Sequence, residues 1–269
     1  MSDIKYLHGF SSEEQDRLID QAESLASELY QYVNWPPQSH ILEVACGVGA
    51  QSKLLLDKFK DIKITGIDVS DDQLRVAEKR LHSEIAQSRF FLKKDDAMNM
   101  SFKSESFDGA YLCWVLEHLP NPQLALNEVY RVLKGGAKVF INEVQNHTFF
   151  LHPYSPATLK YWYEFNDHQW NIGGDPFVGS KMGNYLKAAG FSNIEVKTRS
   201  LHYDNREPQK REERITYWTR LLLSGAPALL DIGKIDKATV EEMKLELEAL
   251  KKDPNSVFYY SFMFAEATK

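Results

Sequence analysis

A glycine-rich turn and a carboxylate that follows it have the types and the spacing of a nucleoside-binding site. The apolar run Ile41–Val44 ends in the turn Ala45–Gly49, and Asp68 follows Gly49 by 19 positions, directly after a second apolar run at residues 62–67. A glycine turn lets the backbone approach a ligand closely, and a carboxylate after the next strand can accept hydrogen bonds from ribose hydroxyls. The sequence therefore predicts that this region binds a nucleoside.

Neighbouring residues bear on which nucleoside is bound. Ser52 stands where the dinucleotide fingerprint has Gly or Ala, three positions after its second glycine, and this weighs against a docked pyrophosphate such as that of NAD. Glu43 lies inside the first apolar run, where a carboxylate is costly unless it has a partner. Asp96 follows a third apolar run, and the adjacent Asp95 leaves open which of the two points inward. A ligand without a pyrophosphate fits this turn better.

The elements that must position these residues alternate between strands and helices. Such alternation argues for a parallel sheet that is covered by helices on both faces. After residue 143 the pattern changes, and residues 147–178 are rich in aromatic residues but lack clear periodicity. The predicted strands are residues 40–45, 62–67, 90–92, 107–112, 138–142, 193–198 and 257–264. The predicted helices are residues 12–33, 50–59, 70–85, 122–134 and 180–189, with two more across 206–252.

The combined motifs resemble those of class I S-adenosylmethionine-dependent methyltransferases, and within them the small-molecule branch. The first motif of that family, an acidic residue followed by small-x-Gly-x-Gly, matches Glu43–Gly49. Two departures are visible, because Ala45 replaces the usual first glycine and Lys134-Gly135 lacks the common proline. The resemblance covers roughly residues 38–145 and continues through Asp68, Asp96-Ala97, Phe107-Asp108, Val115–Leu119 and Arg131–Gly136.

The resemblance implies a fold and a division of the chain. The expected fold is an α/β, Rossmann-like, doubly wound sheet of seven strands, mostly parallel with an antiparallel C-terminal strand. Helical and aromatic insertions are expected over the active site. A single domain would then comprise an N-terminal helical lid (1–37), a cofactor-binding core (38–145), substrate-side insertions with strand six (146–256) and a final strand (257–269).

The resemblance also implies which residues hold the cofactor, S-adenosylmethionine, whose product is S-adenosylhomocysteine. Asp68 is expected to accept hydrogen bonds from the ribose hydroxyls, and the alternative is that it caps the next helix together with Ser70. Arg17 is expected to pair with the methionine carboxylate, and the alternative is a solvated arginine on an amphipathic helix. The expected cofactor residues are Tyr6, Arg17, Glu43, Ala45, Gly47, Gly49, Gln51, Asp68, Val69, Asp96, Ala97, Trp114 and Val115.

Methyl transfer from a sulfonium needs an aligned nucleophile and exclusion of water, and it needs a general base where the acceptor is a hydroxyl or a protonated amine. The candidates near the carboxyl ends of the fourth and fifth strands are His118, Glu143, His147 and His152, of which we prefer His147 and His152. These residues have no recognisable metal-ligand spacing, so no metal is expected. The aromatic residues after the fifth strand predict a lid that suits a small, partly hydrophobic or aromatic acceptor.

Composition narrows the class of protein. The chain has 32 Lys and Arg against 38 Asp and Glu, a net charge of −6, which weighs against a nucleic-acid partner. It has no apolar run of about 18 residues, no signal-peptide core and only two cysteines, so we expect a cytoplasmic protein without a membrane partner, as a monomer or homodimer. Methyl transfer to a small organic acceptor is the leading hypothesis. The alternatives are an RNA or protein methyltransferase, a nucleotide-binding module of the NAD type, and a catalytically silent cofactor sensor.

Overall fold

The computed structural model of the protein describes residues 12–269, so Tyr6 and the start of the predicted lid lie outside the described residues. Its strands are β1 (His40–Val44), β2 (Lys63–Asp68), β3 (Phe90–Lys94), β4 (Phe107–Cys113), β5 (Leu133–Val144), β6 (Phe150–His152), β7 (Ser192–Tyr203) and β8 (Val257–Thr268). Its α-helices are α1 (Ser12–Leu29), α2 (Ala50–Lys58), α3 (Asp71–Arg80), α4 (His82–Ala86), α5 (Pro122–Val132), α6 (Pro156–Asn171), α7 (Met182–Ala189), α8 (Pro208–Asp231) and α9 (Lys237–Lys252).

The strands join in one sheet of the order β3-β2-β1-β4-β5-β8-β6, and β7 also pairs with β8. Strands β1 to β5 are parallel to their neighbours, whereas β8 runs antiparallel to β5, β6 and β7. The prediction of a mostly parallel sheet with an antiparallel C-terminal strand is therefore confirmed. The described part of the chain contributes eight strands, however, rather than the seven expected.

The additional strand is β6, which lies in the segment predicted to be irregular. It pairs Phe150–His152 with Val257–Tyr259 of β8. Strand β5 occupies β8 only over Phe262–Thr268, so the beginning of β8 would otherwise present unpaired backbone groups on that side. Strand β6 has only three residues, too few to show a strand periodicity in the sequence. It forms because it pairs with backbone groups of β8 that would otherwise be unpaired.

The sheet is covered on both faces, as alternation within its strands requires. In β5, Phe140 packs in a cluster with α1, α2, α6, α8 and α9, whereas Val139 and Ile141 pack in a second cluster with α5 and α7. In β8, Phe262 and Phe264 face the first cluster. The doubly wound architecture follows from this division, and it leaves the carboxyl ends of the parallel strands free to form a site.

Helix α6 is the largest element absent from the sequence prediction. Its buried face mixes apolar and polar residues, and the polar ones disrupt the apolar stripe by which a helix is recognised. Each has a partner: Thr158 donates to Glu246, Asn166 bonds with Asn146, and Gln169 donates to Glu117. The helix is therefore held by specific hydrogen bonds to distant residues, which no local pattern records.

Smaller differences concern element boundaries. The helix predicted over 70–85 is divided at Leu81, whose backbone leaves the helical region between α3 and α4. Strand β5 starts at Leu133, directly after α5, so the two glycines at 135 and 136 lie in the strand and do not end the helix. Neither difference moves the residues at the sheet edge.

Of the two glycines in the turn, Gly49 is expected to contribute more to the stability of the fold than Gly47. It has φ +72°, and a Cβ there would lie 2.5 Å from Leu81 Cδ1 and 3.3 Å from Ala77 Cβ. Gly47 has φ +52° but no heavy atom within 4 Å of such a Cβ. We expect Gly49→Ala to lower the free energy of unfolding by about 2–4 kcal/mol through strain and overpacking, and Gly47→Ala by about 1–2 kcal/mol through strain alone.

Urea unfolding of both variants without ligand measures this difference. An equal loss of stability in the two variants would contradict the role assigned to the contact between the turn and α3.

Candidate functional site

A cavity of about 850 Å³ lies at the carboxyl ends of the parallel strands, where open α/β sheets bind ligands. Helix α1 borders it through Arg17, Leu18, Gln21 and Leu25. The lining residues at the ends of the parallel strands, the sheet-edge half, include Ala45, Cys46, Gly47, Gln51, Asp68, Val69, Lys94, Asp95, Asp96, Trp114 and Val115. The lining residues that come mainly from α6, α8 and β8, the aromatic half, include Glu117, His118, Asn146, Trp162, Phe165, Leu201, Tyr217, Trp218, Leu221, Tyr260 and Phe262.

The glycine turn is tied to the end of β2 by Asp68. The Gly47 N–H donates to Asp68 Oδ2 at 2.9 Å, and the Ser70 N–H donates to Oδ1 at 2.9 Å. Ala45 has φ +54°, so alanine adopts here the left-handed conformation that the usual glycine adopts without strain. The turn keeps its shape despite this departure because the Asp68 carboxylate holds it.

Asp68 lines the cavity, and its carboxylate can accept further hydrogen bonds. Each carboxylate oxygen accepts one backbone hydrogen bond and has a further lone pair available. Burial raises the pKa of Asp68. The cap of α3 is Ser70, whose side chain accepts from the Gln73 N–H at 3.3 Å. Asp68 therefore supports the cap from outside the helix, and its free lone pairs can accept hydroxyl protons.

Asp96 is better placed than Asp95 to receive a ligand. Asp95 uses both oxygens on Ser101 and also accepts from the Asp96 N–H. Asp96 accepts from the Met98 N–H through Oδ1 at 2.8 Å, and no other described residue bonds its Oδ2. Both carboxylates line the cavity, and Asp96 is the one of the two with an available oxygen. Ala97, in contrast, is buried and is not part of the cavity wall.

Glu43 lies beneath the turn and not on the wall of the cavity. It is buried, and it accepts a very short hydrogen bond from the hydroxyl of Ser52, which is also fully buried. Burial raises the pKa of Glu43 to about 8, and the nearby Asp68 raises it further, while the bond from Ser52 opposes the shift. The residue at the third-glycine position thus serves as the partner that Glu43 needs. Gly49 is likewise off the wall, against α3.

The raised pKa of Glu43 predicts a pH dependence of stability. Between its ordinary value of 4.5 and about 8, the folded protein keeps a proton on Glu43 that the unfolded chain has released. Stability contributed by this proton is present at low pH and is lost as the pH rises through that window, by about 1 kcal/mol per pH unit. Glu43→Gln should remove this component of the slope.

Urea unfolding at several pH values between 5 and 8 measures the slope, with Glu78→Gln, which alters an exposed glutamate, as the control. A wild-type slope that Glu43→Gln leaves unaltered would show that Glu43 does not bind the proton.

Arg17 is buried and borders the cavity, so the alternative of a solvated arginine is wrong. Its guanidinium forms two hydrogen bonds with the Glu14 carboxylate at 2.7 and 2.6 Å and donates to the Tyr217 hydroxyl at 2.7 Å. The bond to Tyr217 joins α1 to α8 at the border of the cavity. Gln51, which also lines the cavity, accepts a short hydrogen bond from the Tyr30 hydroxyl.

The loop after β4 is shaped by Glu143. Its Oε1 accepts from the backbone N–H groups of Val115 and Leu116 at 2.9 and 2.7 Å. Burial raises the pKa of Glu143 to about 8, with a further contribution from Glu117. The side chain is fully buried and is not part of the cavity wall, so we assign Glu143 to positioning the loop and no longer to proton abstraction. Trp114 and Val115, which the loop carries, line the cavity as expected.

Of the candidate bases, the structure brings only His118 to the wall of the cavity. Its Nε2 lies 3.6 Å from Glu117 Oε1, and Glu117 Oε2 accepts from Gln169 at 2.8 Å. His147 is exposed beside Phe177, and His152 is exposed on β6, so the preference for these two is not supported by their positions. The sequence could have favoured His118, because it follows β4, and the carboxyl end of β4 lies at the same edge of the sheet as Asp68.

Contacts between distant residues build the aromatic half, and the sequence does not show these contacts. Tyr260 of β8 donates to Asn146 Oδ1 at 2.9 Å, and Asn146 donates to Asn166 of α6 at 2.8 Å. Trp218 of α8 packs on Tyr260 with ring centroids 4.7 Å apart. These residues are far apart in the chain and meet only because α6 and α8 fold over the sheet edge.

No group of three or more His, Cys, Asp or Glu side chains in residues 12–269 is arranged to hold a metal ion. None of the helices in the same range combines the length and the apolar character needed to cross a membrane.

The sequence of residues 42–141 matches a family model described as a methyltransferase domain. The chain is 31% identical over 159 residues to an O-methyltransferase of Penicillium expansum, covering 58% of this chain and 53% of that protein. It is 32% identical over 114 residues to a demethylmenaquinone methyltransferase of Symbiobacterium thermophilum, covering 41% and 45% respectively. The chain thus spans about half the length of the curated relatives it matches.

Solved structures share the fold. A phosphoethanolamine N-methyltransferase of Haemonchus contortus, in complex with phosphomonomethylethanolamine and S-adenosylhomocysteine, superposes with a TM-score of 0.58 at 20% identity, covering 92% of this chain and 52% of that chain. The YcgJ protein of Bacillus subtilis superposes with a TM-score of 0.59 at 14% identity, covering 92% and 98%. The Rossmann-like architecture is common to all three.

Proposed function

Because residues 42–141 form a methyltransferase domain of the class I, S-adenosylmethionine-dependent type, we propose that the protein transfers a methyl group from S-adenosylmethionine to a small organic acceptor. The observation that carries this proposal is one cavity in which the turn held by Asp68 faces an aromatic half containing His118. The sulfonium of the cofactor supplies an activated methyl group when bound, so the protein has to align the acceptor and exclude water.

The residues of the sheet-edge half fit the cofactor. Gly47 has open space where a Cβ would lie, so a ligand can approach the turn closely. Asp68 would accept the ribose hydroxyls through its remaining lone pairs, and Asp96 would accept the adenine amino group through Oδ2. Val69, Trp114 and Val115 supply apolar surface between these polar groups.

His118 is the residue that we propose as general base. It reaches the cavity from the loop that Glu143 shapes, and Glu117 lies beside its ring at 3.6 Å. A carboxylate at this distance stabilises, by charge, the imidazolium that forms when the ring takes a proton. His118 would thus remove the proton of the acceptor as the new bond to the methyl carbon forms.

The acceptor that fits best is a small, partly hydrophobic or aromatic molecule. The aromatic half offers such a molecule apolar surface from α6, α8 and β8. An RNA or protein substrate is the second candidate, and the net charge of −6 weighs against RNA. An NAD-type module is disfavoured because Ser52, at the third-glycine position, is committed to Glu43.

Methyl-labelled S-adenosylmethionine tests the proposal. The protein is incubated with the labelled cofactor and an extract of the cell, which is then separated into small molecules, RNA and protein. We expect enzyme-dependent label in the small-molecule fraction. Label in RNA or protein alone would favour the second candidate, and label in no fraction would contradict methyl transfer.

Location and assembly are further parts of the proposal. The two cysteines, Cys46 and Cys113, are free thiols, which suits the reducing cytoplasm. A monomer or a homodimer is compatible with the cavity, since its described wall is complete within one chain.

A further inference from the structure

We propose that the acceptor is an amine carried on an apolar or aromatic body, and that the Glu117 carboxylate and the surrounding aromatic rings bind its ammonium group. This inference rests on the proposed function and names the substrate class of the same cavity. It concerns the aromatic half, which the cofactor residues leave for the acceptor.

The first support is the shape and the chemistry of the wall. Six aromatic rings line this half, from α6, α8 and β8, and several of them hold one another in place: Trp162 stacks on Phe165 with centroids 5.4 Å apart, and Trp218 packs on both Trp162 and Tyr260. Aromatic faces attract ammonium groups, and more strongly where water is excluded. Aromatic rings and a carboxylate that line one cavity are groups that can recognise an amine.

The second support is the position of Glu117. It is 93% buried, since its relative exposure is 7%, and it lines the cavity. Gln169 donates to Oε2, while Oε1 has His118 at 3.6 Å, beyond hydrogen-bond distance. A carboxylate taken out of water favours a cation or strong donors as partners, and an ammonium on the ligand would supply both.

The third support is the balance of charge around the cavity. The Arg17 guanidinium is committed to Glu14 by two hydrogen bonds, and Lys94, on the sheet-edge half, pairs with Asp71 at 2.5 Å. Glu143 is fully buried behind the wall, with Oε1 on two backbone N–H groups, which leaves Glu117 as the glutamate on the wall of this half. An anionic acceptor would therefore be repelled, and a cationic one attracted.

The chemistry balances without a further reactant. The bound ammonium gives one proton to His118 and becomes a neutral amine with a free electron pair. That pair forms the nitrogen–carbon bond while the bond from the methyl carbon to the sulfonium breaks and its electrons return to sulfur. The products are a methylated ammonium and S-adenosylhomocysteine, and the proton on His118 passes to solvent.

Three probes that share a phenyl ring and differ in their polar group test the inference: phenethylamine, phenethyl alcohol and phenylacetate. Each is titrated calorimetrically into protein saturated with S-adenosylhomocysteine. We expect phenethylamine to bind roughly 10- to 100-fold more tightly than the alcohol, as a hydrogen bond to a charged group contributes, and phenylacetate to bind most weakly. Glu117→Gln should bring the amine close to the alcohol and leave the affinity for the alcohol unaltered. Glu241→Gln, on the exposed face of α9, is the matched control.

Equal binding of amine and alcohol, preferred binding of phenylacetate, binding of no probe, or an amine preference that survives Glu117→Gln would each overturn the inference. The ranking in the wild-type protein decides the matter if the Glu117 variant does not fold, which its affinity for S-adenosylhomocysteine reports. Absence of S-adenosylhomocysteine binding to the wild type would instead remove the proposed function itself, so the two failures are distinguishable.

Discussion

Replacing Asp68 by alanine is expected to weaken the binding of S-adenosylhomocysteine by about 10²- to 10⁴-fold. The carboxylate lines the cavity, and each of its oxygens retains a lone pair that a ribose hydroxyl can occupy. A hydrogen bond to a charged group contributes about 1.5–3 kcal/mol, so the loss of two of them corresponds to this range. The alanine also releases the Gly47 N–H, which disturbs the turn as well.

Isothermal titration of S-adenosylhomocysteine into both proteins measures the effect. Asp68→Asn keeps the shape and one acceptor oxygen, and we expect it to fall between the two. Asp57→Ala, which alters an exposed aspartate paired with Lys53 on α2, should leave the affinity unchanged. A folded Asp68→Ala protein that binds within threefold of the wild type would contradict the assignment of the ribose site.

Replacing His118 by glutamine is expected to lower the rate of methyl transfer by about 10²- to 10⁴-fold, the usual contribution of a positioned general base. Its ring reaches the cavity, while His147 and His152 are exposed away from it. The affinity for S-adenosylhomocysteine should remain close to that of the wild type, because the residues that we propose for the ribose and the adenine are Asp68 and Asp96. His147→Gln is the matched control and should retain full activity.

The formation of S-adenosylhomocysteine at saturating S-adenosylmethionine, with a fixed amount of the small-molecule extract as acceptor, gives the relative rates. A His118→Gln protein with the wild-type rate would remove the base from the mechanism. A loss of activity in His147→Gln alone would return the role to the residue that the sequence favoured.

The sheet-edge half could be predicted from the sequence because each of its polar groups lies at or just after the end of a strand. Gly47, Asp68 and Asp96 mark the ends of β1, β2 and β3, and neighbouring strands of a parallel sheet place their carboxyl ends along one edge. Spacing along the chain therefore carries the geometry. Even the unusual Ser52 could be noticed, although its partnership with Glu43 required the structure.

The aromatic half could not be predicted in the same way. Trp162, Tyr217 and Tyr260 come from α6, α8 and β8, and their proximity depends on how these elements pack. Helix α6 itself was missed because Asn166 and Gln169 occupy its buried face and satisfy distant partners. The aromatic content of the segment indicated a lid, but neither its helix nor its contribution to the cavity has a local signature.

The preference for His147 and His152 is not supported by their positions, for a related reason. Their place shortly after the fifth strand suggested these two, whereas both side chains are exposed, that of His147 in the turn after β5 and that of His152 on β6. His118 lies on a loop whose path is determined by the buried Glu143, and this restraint is visible only in three dimensions.

A thermal-shift titration of the wild-type protein with S-adenosylmethionine, S-adenosylhomocysteine and NAD in parallel tests the central claim most directly. A ligand present at about 100 times its dissociation constant adds roughly 2.7 kcal/mol, which is about 5–10 °C in Tm for a chain of this size. We predict that the two adenosyl ligands raise Tm by this amount and that NAD does not. A shift with NAD alone, or with none of the three, would contradict the account.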